Sequence, residues 1–159
     1  MRKKNQEITD PVIIEEILQE SEICRLAMMD GDRPYILPFN YGYHDHCIYI
    51  HCAPKGKKID LLQKNPEVCF EIEHSAELIE AEKACKWSEL YRSVIGYGKV
   101  EIITDFEQIL KGLEIIMRSN GAQGPLEFDD KHVKACSVLK MQITSITAKQ
   151  SSNWDKIRS

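Results

Sequence analysis

No stretch of the 159 residues approaches the roughly 18–20 consecutive apolar residues of a membrane-spanning helix, and the basic start Met1–Lys4 leads into no apolar signal core. A cytoplasmic protein is expected. Basic residues are not in excess either: 21 Lys and Arg stand against 25 Asp and Glu, a net charge of −4, which argues against general nucleic-acid binding. No C-x-x-C pair occurs among Cys24, Cys47, Cys52, Cys69, Cys85 and Cys136, so without an export signal these read as buried thiols on strands. There is no G-x-G-x-x-G unit, no internal repeat and no low-complexity segment. A nicotinamide partner would therefore arrive without a Rossmann domain of its own. What is present suits one domain over residues 1–159, with a core at about 10–149 and a polar tail at 150–159; 43% apolar and 29% charged residues are globular values.

The most informative stretch runs from Ile48 to Asp60. Alternating β-formers from Cys47 to Cys52 predict a strand that ends at His51-Cys52. Ala53-Pro54 stops it, Gly56 permits a tight turn, and Ile59, Leu61 and Leu62 begin a short helix. Lys55, Lys57 and Lys58 thus crowd a strand-to-helix corner. The first N–H groups of a helix lack intrahelical partners and its dipole is positive there, so the corner favours an anion, with phosphate as the natural occupant. A solvated basic turn is the commoner fate of such a run. Against that fate, like charges at a helix start cost roughly 0.3–1 kcal/mol each unless an anion offsets them. Nearby, His44, His46, Cys47, His51 and Cys52 resemble a ligand set, but on a strand His46 and His51 would stand roughly 16 Å apart on opposite faces. No metal site is expected.

Along the rest of the chain, Asp10-Pro11 opens a helix that runs to about Glu20. A strand at 22–29 follows, then the hairpin turn Asp30-Gly31-Asp32. Tyr35 to Tyr43 reads as one strand with Tyr35, Leu37, Phe39, Tyr41 and Tyr43 on one face; Pro38, which lacks a ladder donor, suggests an edge, a bulge or a place where a ligand approaches the backbone. With the strand at 47–52 these predict a three-stranded meander. Val68, Phe70 and Ile72 mark a fourth strand, whereas 74–90 reads as either a loop or a strand extension carrying Trp87. Gly96 and Gly98 in a strand at 91–103 suggest the sharp curvature of a closing barrel. Asp105 caps a helix whose Phe106, Ile109, Leu110, Leu113, Ile116 and Met117 share a face, read as core packing. A helical turn at 129–134 and a strand at 138–149 complete the chain. The expected fold class is mainly β with helices (α+β), an antiparallel six-stranded split β-barrel with flanking helices.

Arg33–Tyr41, Ile48–Ala53 followed by Gly56-Lys57-Lys58, Asn65-Pro66 and Tyr91–Lys99, in this order and spacing, resemble the flavin-binding split-barrel proteins related to pyridoxamine 5′-phosphate oxidase. Within them the sequence is most similar to the nitroimidazole-resistance (Nim) branch. The resemblance covers about residues 10–149. It implies a homodimer with FMN, or FAD, at the subunit interface. Lys57 and Lys58 match positions that hold the flavin phosphate, with Lys55 as a helper, and Cys52 and Ala53 lead into that corner. Pro38, Phe39, Asn40 and Tyr41 match the strand lying against the ring. Arg92, Ser93 and Val94 match positions near the phosphate or ring, and Trp87 a dimer-related wall. His51 matches a histidine beside the flavin that is proposed to act in catalysis. Where many relatives carry Gly-Arg-Lys this chain has Gly-Lys-Lys, which keeps the charge but loses the bidentate fork.

The implied activity is that of a flavin-dependent oxidoreductase passing electrons from a nicotinamide or other donor to a small oxidant such as a nitroaromatic. Two alternatives stand beside it: a non-enzymatic flavin or haem-binding module, with His51 or His44 as haem ligand, and pyridoxamine phosphate oxidation. The latter is weakened because Asn153–Ser159 lacks the Arg/His-rich substrate segment. From the residues alone, His51 is either a hydrogen-bonded strand end or a proton donor beside the anion corner. Asn40 reads equally as a turn former, Ser93 as a buried hydroxyl bonded to backbone, and Trp87 as core or interface.

Overall fold

The computed structural model describes residues 4–154, so the basic start at 1–3 and the end of the tail at 155–159 lie outside the described residues. Eight strand segments form one antiparallel sheet: β1 (Glu7–Ile8), β2 (Ile23–Asp30), β3 (Arg33–Asn40), β4 (Gly42–His44), β5 (Cys47–Cys52), β6 (Glu67–Ile79), β7 (Ser88–Ile103) and β8 (Ser137–Gln150). Accompanying them among the described residues are the helices α1 (Pro11–Glu20), α2 (Lys57–Lys64), α3 (Phe106–Ser119) and α4 (Asp130–Lys134). Asp10 caps α1 by accepting from Val12 N, and Asp105 caps α3 by accepting from Gln108 N.

The strand order β3-β2-β6-β7-β8-β5-β4 overturns the meander. Tyr41 interrupts the expected strand 35–43, leaving β3 at one end of the path and β4 at the other. Because a single residue joins these ends, the sheet has to curl until they meet, and the chain itself closes the barrel where no ladder does. The break has a local cause. Tyr41 is 2% exposed and its hydroxyl donates to Leu18 O at 2.8 Å, so the ring is drawn inside beneath α1. Pro38 sits on the outer strand of the path, where a missing ladder donor costs nothing. Residues 74–90 resolve as a strand extension: β6 and β7 pair out to Ile79↔Ser88, with a register shift between His74 and Glu77 and a 3-10 turn at Ala84–Lys86.

The barrel core packs Leu26, Met28, Ile48, Phe70, Val94 and Met141 against Ile17 and Leu18 of α1 and Ile59 and Leu62 of α2. Gly96 is required by a close approach, since a Cβ there would stand 2.5 Å from the Phe70 ring; the ladder shifts register at the neighbouring Tyr97 and Gly98, giving the expected curvature. A second cluster covers the outer face of β5 and β8, where Cys47, Tyr49 and Val138 meet Ile109 and Ile116 of α3 and Val133 of α4. A Cβ on Gly42 would stand 2.6 Å from Ile116 Cα, so glycine lets α3 lie directly on β4.

The thiols are less uniform than expected. Cys24, Cys47 and Cys52 are buried in strands, Cys69 is half-buried, Cys136 precedes β8, and Cys85 is exposed on the 3-10 turn. Burial is the main cause that raises the Cys24 pKa from 9.0 to about 12, with Glu71 adding to the rise and Arg25 opposing it. Above pH 9 the unfolded chain loses this proton while the folded chain keeps it, so stability is full below 9.0 and falls as pH rises towards 12. Tyr41 and Tyr43, also raised chiefly by burial, extend the loss above their ordinary 10.0. Burial also raises the thiols of Cys47, Cys52, Cys69 and Cys136, so urea unfolding between pH 9 and 10 should show a fall in stability that is shallower, though not abolished, in Cys24→Ala; an equally steep fall in that variant would remove the Cys24 thiol from the cause.

Candidate functional site

The split in the barrel is the place where β3 leaves β4 and β5. Extending the β4–β5 register, in which Gly42 faces Tyr49, sets Asn40 opposite His51. Past that point β3 has β2 on one side and, on the other, the connection from β5 to α2. Across this split the lysine corner meets the β2–β3 hairpin at Asp30 and Tyr35, while Asn40, at the far end of β3, stands with His51.

At the corner, Gly56 occupies the N-cap position of α2 with φ 116°, a backbone that favours glycine, and has no side chain to satisfy the helix start. Its carbonyl accepts from Ile59 N and Asp60 N at 2.8 and 3.2 Å. The Lys57 ammonium meets Asp30 Oδ2 at 2.6 Å and lies 4.6 Å from the Tyr35 ring centroid, which pins it across the split onto the β2–β3 hairpin. The Asp30 hydrogen bond raises the Lys57 pKa. Lys58 is half-buried on the other side of the corner, and its charge partly offsets the burial that raises the buried Cys52 thiol. Lys55 and Ala53 are exposed.

His51 shares its strand face with Cys47 and Tyr49, and it is exposed at the mouth of a cavity of about 320 Å³ between β5, α3 and α4. Leu113, Ile116 and Met117 of α3 and Phe128 and Val133 beyond it supply apolar walls; Asn40, Asp129 and His132 add polar groups. Asn40 is held in a defined orientation. Asn120 Nδ2 donates to Tyr41 O and Ile116 O at 2.9 and 2.8 Å, which turns Asn120 Oδ1 towards Asn40. Asn40 Nδ2 then donates to that oxygen at 2.6 Å and to Glu22 O at 3.2 Å. Both amide hydrogens are committed, so Asn40 offers a ligand its oxygen.

The structure does not bring every expected residue to this place. Ser93 lies on β7, with β2 and β6 between it and β3, or three strand spacings and about 14 Å from Asn40. The Val94 side chain is sealed in the core, as are those of Tyr41 and Cys52, leaving these three only backbone groups to offer. Arg92 is engaged inside the chain: it bonds Gln150 Oε1 at 3.2 Å, meets Glu16 at 3.5 Å and stacks 4.4 Å from the Trp154 ring, closing one end of the barrel. Trp154, expected in a polar tail, is therefore core. Trp87 is half exposed on the β6–β7 extension, its indole N–H donating to Ala81 O at 2.7 Å.

Sequence reasoning missed the cavity walls and Asn120. A usable signal was the breadth of the α3 stripe, which carries Met117 past the core to a position 43% exposed. Among the described residues no group of three or more His, Cys, Asp or Glu is placed to hold a metal, and no helix is long and apolar enough to cross a membrane.

Comparison with known proteins decides the lineage. A family model described as pyridoxamine 5′-phosphate oxidase matches residues 10–150. The chain belongs to that family. Within it, the chain is similar to the structure of a candidate 5-nitroimidazole antibiotic resistance protein from Bacteroides thetaiotaomicron VPI-5482, with a TM-score of 0.79 and 32% identity over 91% of this chain and 86% of that one. The fold alone is shared with the flavocytochrome Anf3 of Azotobacter vinelandii, with a TM-score of 0.77, 19% identity and 95% and 72% of the two chains covered. It is shared likewise with an FAD and heme binding protein of Mycobacterium smegmatis, at 0.76, 17%, 94% and 75%. The uncharacterized protein RA0666 of Rhizobium meliloti (strain 1021) is 34% identical over 56 residues, 35% of this chain, so the match spans about a third (36%) of that relative's length. The split barrel is thus the α+β architecture of the pyridoxamine 5′-phosphate oxidase family, a fold shared with the flavocytochrome and the FAD and heme binding protein.

Proposed function

We propose that the protein is a flavin-dependent oxidoreductase of the cytoplasm that reduces small nitroaromatic compounds such as 5-nitroimidazoles, with FMN, or failing that FAD, held between two copies of the chain. The observation that carries this reading is the split itself: the β2–β3 hairpin meets, through Asp30 and Tyr35, a helix start that no side chain caps, flanked by Lys57 and Lys58, and the strand leading into it ends at His51-Cys52. That arrangement fits a flavin phosphate. The uncapped N–H groups and the Lys58 ammonium suit a phosphate, with Lys57 sharing its charge between that site and Asp30, and Gly56 has nothing within 4 Å of its Cβ position, so a ligand can approach the backbone. Lys57, Lys58 and Lys55 would hold the phosphate, and the backbone of Pro38–Asn40 would meet the ring.

When bound, the flavin supplies the redox chemistry, drawing electrons from a nicotinamide or other donor. The chain supplies the rest. Reduction of a nitro group consumes protons as well as electrons, and His51, at the mouth of the cavity, is the side chain placed to deliver them. The α3 and α4 walls keep water from the oxidant.

An outward apolar row supports the second copy. The register aligns Ile36, Ala27, Cys69 and Tyr97 across β3, β2, β6 and β7, and Ile36, Tyr97 and the neighbouring Ile95 are 58%, 59% and 49% exposed. A partner covering this face would set its own β7, with Ser93, and its extension, with Trp87, against the first copy's split.

Purified protein is expected to be yellow and dimeric in sedimentation, and the reduced form should be reoxidised by a nitroaromatic. A colourless monomer that ignores added FMN and FAD would remove the reading, and a Soret band on haem addition without nitro turnover would replace it with a carrier.

A further inference from the structure

We propose that the cavity between β5, α3 and α4 is the oxidant's binding site, and that it selects an uncharged single-ring aromatic and rejects anionic ones. The inference rests on the function proposed above and adds the substrate class and the side chains that set it. Three features of the cavity carry it. Its walls are apolar and partly aromatic, from Leu113, Ile116, Met117 and Phe128, and its volume of about 320 Å³ takes one substituted ring and excludes a dinucleotide. None of its lining residues is a lysine or arginine, while Asp129 contributes a carboxylate at the rim, 62% exposed. Asn40, fixed by hydrogen bonds at the edge of the cavity, presents an acceptor oxygen because Asn120 and the Glu22 carbonyl consume its donors.

An anionic ligand would find no lysine or arginine in this space, only the imidazole of His51 at the mouth and that of His132, already paired with Asp129 at 3.8 Å, and would leave its hydration for apolar walls beside the Asn40 oxygen. A phosphate-bearing substrate such as pyridoxamine 5′-phosphate is disfavoured on the same ground. The cations of the molecule's split, Lys57 and Lys58, lie at the α2 corner and belong to the cofactor site. A neutral ring pays none of these costs, and an N–H or O–H on it can donate to Asn40.

The test is calorimetric titration of the purified, unreduced protein with 4-nitrobenzyl alcohol and with 4-nitrobenzoate, which share ring and nitro group and differ in charge. The alcohol should bind at least about tenfold tighter. Met117, at the mouth and 43% exposed, accepts substitution without opening the core. Met117→Trp should weaken alcohol binding at least about tenfold by filling the cavity, and Met117→Arg should narrow the gap between the two ligands by a similar factor. Thermal melts check that both variants fold, and flavin absorbance, unchanged in both, reports the cofactor separately. Equal affinities in the wild type, or a preference indifferent to both substitutions, would overturn the proposal. Protein lacking flavin that still shows the preference would sink the flavin reading and leave the cavity's selectivity standing.

Discussion

His51→Ala is expected to lower nitroaromatic turnover by about a hundredfold or more while the flavin stays bound, the size of effect that follows removal of a positioned proton donor. Its side chain is exposed at the cavity mouth, opposite Asn40, on the strand face that α3 and α4 cover further along. No other imidazole occupies that point: His132 lines the same cavity from α4 but is 85% exposed and paired with Asp129 at 3.8 Å. The loss should fall on kcat more than on KM, because the ring's binding walls remain. Added imidazole should restore part of the rate. Unchanged turnover in the variant would confine His51 to the wall of the cavity.

Lys58→Glu should weaken FMN binding at least about thirtyfold, since it removes one counter-charge to the phosphate and sets a like charge in its place. Lys57 is the less informative target. Its ammonium is already shared with Asp30 and the Tyr35 ring, and changing it would also loosen the tie between α2 and the β2–β3 hairpin. Lys58 carries no such ion pair among the described residues, so the loss should appear in cofactor affinity with little change in melting temperature once flavin is removed. An unchanged FMN affinity in Lys58→Glu would place the phosphate elsewhere.

Much of this was legible from residues in a row. Asp10-Pro11 and Asp105 cap their helices as read, Gly31-Asp32 turns a hairpin, and Gly56 with its lysines does begin a helix after a strand. Each of these depends on contacts within a few positions. The strand path did not follow, because a continuous alternation from Tyr35 to Tyr43 carries no mark of the break. Tyr41 leaves the ladder for a tertiary reason, its hydroxyl bonding Leu18 O on a helix 23 residues earlier. Arg92 shows the same limit. Its likeness to a cofactor position says nothing of Glu16, Gln150 and Trp154, which meet it only after α1, β7 and the chain's end converge. The cavity was the hardest part to read: its walls are an ordinary amphipathic stripe on α3, and only the meeting of that stripe with β5 and α4 leaves a cavity beside His51.

The flavin site proposed at this split has a feature that would separate a flavin phosphate from any flat ring. Fluorescence titration of flavin-stripped protein with FMN and with riboflavin measures the difference directly. FMN binding at least about thirtyfold tighter than riboflavin, with the gap closing in Lys58→Glu, is the result expected of a phosphate seated at the α2 corner. Equal affinities for the two would contradict it.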